Sequence, residues 1–125
     1  MKKLITIILI VLFPLSAFGM NVTVTWNAPT TWSDGSPLTT ITGYNIYYGN
    51  VTNGPYPNKV VVGNVTTHVM SLSNGTWYIV NTALATNAAG ETIESSYSNE
   101  LMKIIDERIP NPPRNLSFVT GLGVQ

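Results

Sequence analysis

The nine residues NVTVTWNAP, 21–29, decide how the rest of the chain is read. Val22, Val24 and Trp26 alternate with Thr23, Thr25 and Asn27, so the two sets of side chains point to opposite faces, as in a strand. Ala28-Pro29 closes the run, because proline has no N–H to give to a central ladder. The same period-two pattern returns downstream. Tyr44, Ile46 and Tyr48 share one face of a strand expected over about 42–49, with Asn45 and Tyr47 on the other. Further strands are expected over 59–62, 66–72, 76–86 and 97–105, separated by turn clusters such as Ser73-Asn74-Gly75 and by a loop over 87–96. No segment carries a helical period. Short alternating segments broken by Gly, Pro, Asn and Asp are the pattern of an all-β protein.

Ahead of the first strand the chain changes character. Met1-Lys2-Lys3 is a short basic start, Leu4 to Leu15 is apolar apart from Thr6 and Pro14, and Ala17 and Gly19 are small. That order is the pattern of a secretory signal peptide cut after Gly19. The apolar run is short for a membrane span of about 20 residues, so contact with a membrane is expected only through the leader. The organisation expected is a signal peptide over 1–19, one domain over 20–107, and a Pro-rich linker with a short strand-like tail over 108–125. The destination is the periplasm, the cell surface or the medium.

Composition narrows the function. The chain of 125 residues has no cysteine, which excludes a disulfide scaffold, a thiolate metal site and a cysteine nucleophile. Stability must come from an apolar core, and about 5–15 kcal/mol is typical for such a domain. Six basic residues face six acidic ones, and loss of Lys2 and Lys3 with the leader leaves four against six. Without a basic patch, nucleic-acid binding has no electrostatic footing.

Several motifs, in order, carry a resemblance. WNAP at 26–29, SDGSPL at 33–38, ITGYNIYYG at 41–49, LSNGTWY at 72–78, NAAGE at 87–91 and YSNEL at 97–101 together resemble the fibronectin type III family, in particular its bacterial and phage-borne versions. The resemblance implies an immunoglobulin-like sandwich of two antiparallel sheets with about seven strands. It also implies core roles for Trp26, Tyr44, Ile46 and Leu72, and a tyrosine corner in which a phenol hydroxyl bonds upstream backbone. Two spacings are open for that corner. Tyr78 would turn Val80, Thr82 and Leu84 inward. Trp77 would instead turn Ile79, Asn81 and Ala83 inward. A buried Asn without partners costs about 1–3 kcal/mol, so Tyr78 is preferred.

Catalytic chemistry has no residue set to carry it. His68 is the one histidine, read as a surface strand residue, and it cannot build a zinc site or a serine triad alone. Of the six carboxylates, Asp34 belongs to turn chemistry with Gly35. Glu91 and Glu94 share a loop and read as solvated charges, with a weak calcium or sugar site as the sharper alternative. No phosphate-cradling glycine loop and no Arg-Gly-Asp triplet is present. Five Asn-x-Ser/Thr triplets, at Asn21, Asn50, Asn64, Asn74 and Asn115, read as chance in a chain rich in Asn and Thr. No cofactor and no metal is expected.

The functional expectation is therefore a non-catalytic module that binds a protein or carbohydrate surface. The candidate contacts are Trp32, Tyr47, Tyr56 and Trp77, against the plainer reading that they cap the core. The alternative is a structural or assembly component of a surface appendage or virion. That alternative rests on a departure from the family. The usual first strand, with its Pro-x-x-Leu pattern, is missing ahead of residue 21, and a matching pattern stands at 112–119 (PPRNLSFV). This segment reads as a loose tail or truncated second module, as an edge strand of its own sandwich, or as a strand given to a neighbouring molecule.

Overall fold

The computed structural model of the chain describes residues 19–121. Apart from Gly19, the leader expected over 1–19 lies outside the described residues. Seven strands follow in order: β1 (Met20–Thr25), β2 (Ile41–Gly49), β3 (Asn58–Val62), β4 (Thr67–Leu72), β5 (Gly75–Thr86), β6 (Thr92–Glu94) and β7 (Leu101–Ile105). Among the described residues there is no helix. All pairings are antiparallel, in two sheets. β1 pairs with β4. The larger sheet runs β3-β2-β5, and both β6 and β7 pair along the far edge of β5.

The two sheets close on one core, as a β-sandwich requires. β1 and β4 contribute Val24, Met70 and Leu72. The larger sheet contributes Tyr44, Ile46, Val62, Ile79, Ala83 and Ile105. Tyr44, Ile46 and Leu72 are the largest fully buried side chains. Trp26 packs at the rim of this cluster, its ring edge-on to Tyr44 with centroids 5.2 Å apart. Gly43 is required by space: a Cβ there would lie 2.8 Å from the Val62 carbonyl oxygen on β3. His68 lies opposite Val24 on the inward side of β4 and is half-buried, which corrects its reading as a surface residue.

The inward face of β5 is the reverse of the one preferred from the sequence. Register pairs Tyr44 with Ala83, Ile46 with Asn81 and Tyr48 with Ile79, so Trp77, Ile79, Asn81 and Ala83 face the other sheet. Tyr78, Val80, Thr82 and Leu84 lie on the outer face. Trp77, not Tyr78, makes the upstream backbone bond that the resemblance leads one to expect of a corner residue. Its indole Nε1–H donates to the Ser73 carbonyl at 2.8 Å, bonding backbone four residues upstream as a corner phenol would, and its ring packs on Tyr48. The penalty assigned to an inward Asn81 does not apply, because Asn81 is half-buried at the mouth of a groove.

The last strand also differs from expectation. It begins at Leu101, not Tyr97, and the expected loop over 87–96 contains β6. Between β6 and β7 the ladder is broken, and serine side chains fill it. Ser95 Oγ accepts from the Ala83 amide and Ser98 Oγ from the Asn81 amide, both at 2.9 Å. The Ser95 and Ser98 amides in turn donate to the Ala83 and Asn81 carbonyls.

Candidate functional site

Two places on the sandwich carry more polar or apolar machinery than packing alone requires. The first lies on the outer face of the larger sheet. Tyr47 and Tyr56 both meet Tyr97 edge-on, each pair with centroids 5.4 Å apart. Below them Glu94 Oε1 accepts from the Thr82 hydroxyl at 2.6 Å, the Tyr47 hydroxyl at 2.6 Å and the Asn45 amide at 3.0 Å. Lys59 Nζ sits 5.7 Å from the Tyr47 ring centroid. Glu100 accepts from the Tyr56 hydroxyl, from Thr52 Oγ1 at 3.0 Å and from the Asn53 amide at 2.7 Å.

These bonds fix the charge states. The Thr82 hydroxyl, then Tyr47 and Asn45, hold Glu94 at about 2, far below the ordinary carboxylate range. The Tyr56 hydroxyl lowers Glu100, and Glu100 in return pushes Tyr56 up to about 12. Tyr47 is raised in the same way by Glu94. A carboxylate with its lone pairs taken and its pKa near 2 is a poor proton acceptor at neutral pH. The geometry makes Glu94 and Glu100 clamps: Glu94 fastens the end of β6 to β5 and β2, and Glu100 fastens the start of β7 to the 52–56 loop. This corrects the reading of Glu94 as a solvated loop charge. Tyr97, 55% exposed, is the aromatic ring that the cluster leaves most open to solvent.

The second place is the outer edge of β1. The Trp26 amide donates to the Thr66 carbonyl at 3.0 Å, and the register runs from Met20 opposite Leu72 to Thr25 opposite Thr67. Backbone groups alternate in direction along an antiparallel pair. Those of Val22, Val24 and Trp26 therefore point at β4, and those of Asn21, Thr23 and Thr25 point away from it. Among the described residues no strand pairs with that side. Between this edge and the stretch leading into β7 lies a groove of about 380 Å³. Its walls are Val24, Trp26, Ile79 and Leu101, with Asn81 and Ser98 at the rim and Ile46 beneath. The Trp26 indole N–H is buried and has no acceptor among the described residues. The tail does not close this gap: no residue of 106–121 forms a strand, and Leu116, Phe118 and Val119 are 99%, 96% and 94% exposed.

The four sequence-predicted contacts separate. Tyr47 and Tyr56 join the outer-face cluster, each half-buried and hydrogen-bonded to a glutamate. Trp77 is a core-packed corner residue. Trp32 is half-buried in a tight turn of its own, in which its amide donates to the Ser36 carbonyl and Asp34 Oδ1 accepts from the Ser36 amide and hydroxyl. It borders a hollow with Thr40, Thr86 and Asn87 at the pole where β1 ends. Tyr97 was missed as a contact. Its signal was the YSNEL motif, whose tyrosine the resemblance treated as part of a regular strand.

Family models, curated proteins and solved structures were each compared with this chain, and none matches it.

Proposed function

We propose that the chain is an exported, non-catalytic module of the fibronectin type III type that joins another polypeptide along the outer edge of β1. The groove beside that edge carries the proposal. N–H and C=O groups at Asn21, Thr23 and Thr25, unpaired among the described residues, offer a ladder, and the slot beside them leads down to Ile46 and Val24. Main-chain bonds supply affinity in such strand addition, and pockets for alternate side chains supply selectivity. The strand order supports the family reading, since β1-β4 facing β3-β2-β5-β6/β7 is the order implied for a module short of its first strand. Glutamates engaged in clamping support a non-catalytic role, and the leader pattern supports export.

The test is a titration of the isotope-labelled chain, lacking residues 110–125, with a panel of ten-residue peptides that alternate apolar and polar side chains. The amides of Asn21, Thr23 and Thr25 and the Trp26 indole are expected to shift. Peptides of the same composition with proline at alternate positions leave them in place. If no peptide of the panel moves the β1 resonances, the edge is not a docking site.

A second reading has its own observation. Tyr97, braced by Tyr47 and Tyr56, presents an aromatic surface suited to stacking on a sugar ring or a protein side chain. Glycan-array binding lost in Tyr97→Ala, with unfolding unchanged, would support it.

A further inference from the structure

The edge of β1 is selective about what can lie beside it, and the chain contains a segment that meets each requirement. A partner needs free amides opposite Thr25, Thr23 and Asn21, so it must lack proline over about five residues. It needs apolar side chains at alternate positions to enter the groove, and polar ones between them. Asn115-Leu116-Ser117-Phe118-Val119 has no proline, places Leu116 and Phe118 on one face, and places Asn115 and Ser117 on the other. Pro110, Pro112 and Pro113 stand just before it and end any ladder there. Leu116 and Phe118 are almost wholly exposed. Large apolar side chains left in water at alternate positions are the mark of a strand without its sheet.

Direction decides whose tail enters. β7 ends at Ile105 opposite Gly75, and the Glu107 amide donates to Asn74 Oδ1 at 2.8 Å. The tail thus leaves the sandwich just past Leu72, at the Met20 end of β1. Running straight along its own β1 it would lie parallel to it. Antiparallel pairing is the sturdier form, and every strand pair among the described residues uses it. It demands entry at the opposite, Trp26 end, which is also where the groove lies. A second copy stacked end-on delivers its tail at that point.

We infer that residues 115–119 of one copy complete the β1 edge of the next, antiparallel, with Leu116 near Val24 and Phe118 near Val22. This rests on the reading of the β1 edge as a docking site and names its occupant. Asn115, Ser117 and Val119 then exchange backbone bonds with Thr25, Thr23 and Asn21. Leu116 and Phe118 leave water for the groove, and the incoming chain brings an acceptor within reach of the Trp26 indole. The contact is heterologous, because edge and tail are different surfaces. It repeats from copy to copy and gives a head-to-tail row, open unless the rotation between copies closes it into a ring.

The test uses the full chain, expressed with its leader in an exporting host and recovered as processed. The native chain has no cysteine, so engineered thiols report without background. Thr23→Cys and Ser117→Cys variants are mixed and gently oxidised. A disulfide-linked heterodimer is expected, and the Thr23→Cys/Ser117→Cys double variant is expected to give a ladder of oligomers. Phe118→Asp in the Ser117→Cys chain should reduce cross-linking at least tenfold, while Val119→Asp, on the outward face, should leave it within twofold. Three results would overturn the inference: a double variant cross-linked only within single molecules, no cross-link together with a strict monomer at high concentration, or equal cross-linking of Ser117→Cys to a Val61→Cys control on the outer face. If strand peptides still shift the β1 amides in those cases, the docking edge stands and its occupant is another chain. If they do not, both readings fail.

Discussion

Along β5 the neighbouring strand breaks off after Glu94 and resumes at Leu101, yet the freed amides of Asn81 and Ala83 bond to Ser98 and Ser95, Glu94 fastens the break to the sheet and Glu100 fastens it to the 52–56 loop. Along β1 the neighbouring strand is absent for the whole length among the described residues, and no side chain takes its place. Both edges leave backbone groups without a regular partner, and buried ones must be satisfied. The first edge is served from within. The second is bordered by a groove lined with core side chains and an indole N–H lacking an acceptor. A protein that can close one broken edge with Ser, Thr and Glu has the means to close another. On that difference rests the proposal that another chain completes the β1 edge.

The largest expected effect lies on the closed side. Trp77→Ala removes a core-packed ring and the bond to Ser73, and should cost about 3 kcal/mol, in the range of Trp truncations. Tyr78→Ala, from the outer face, should cost less than half of that. Urea unfolding compares the two, and equal losses would return the corner to Tyr78.

Next comes the Glu94 clamp. Its folded pKa is depressed from 4.5 to about 2. The stability it contributes is therefore complete above pH 4.5 and is lost as pH falls toward 2. Glu94→Gln should cost about 1 kcal/mol at neutral pH, since the residue is largely exposed, and should flatten the dependence of the urea midpoint on pH between 4.5 and 2. An unchanged slope would mean that the clamp is not formed.

Ser98→Ala takes the acceptor from the Asn81 amide and should cost about 1 kcal/mol. Hydrogen exchange sharpens the contrast. The Asn81 amide should be protected in the native chain and lose that protection in the variant, whereas the Thr23 and Thr25 amides of the isolated chain should exchange freely. Protection at Thr23 in a dilute monomer would erase the difference between the edges.

The smallest expected effect on stability is that of Thr23→Pro. Its amide points away from β4, and proline is tolerated on an edge strand with that side free, so the loss should stay within about 0.5 kcal/mol. The same change removes a ladder donor and should abolish peptide binding. A loss of several kcal/mol would show that the Thr23 amide is bonded within the sandwich.

The sequence carried the strands wherever one face is apolar and the other polar. Val22, Val24 and Trp26 against Thr23 and Thr25 read directly. β5 resisted because both of its faces are buried: Ile79 and Ala83 lie on one, Val80 and Thr82 on the other. Alternation then has no polar side to report it. β6 is three exposed residues, too short for a period. The tyrosine cluster joins positions 47, 56 and 97, and the Glu94 clamp joins 45, 47, 82 and 94. Neither spacing recurs locally, so both depend on register between strands. The exposed alternation of Leu116 and Phe118 was legible, but the direction in which the tail leaves was not.

That direction has a mechanical consequence. The tail departs where β7 ends, at the pole opposite to the one where a neighbour's strand would enter beside β1. Tension on a row of joined copies would pass up one strand and down another, each loaded lengthwise. Lengthwise load strains all five pairs between β7 and β5 together, from Leu101 with Ile79 to Ile105 with Gly75, where a sideways pull would open them one at a time. In the proposed row, the same exit would load the β7–β5 ladder in shear, the direction in which it resists most.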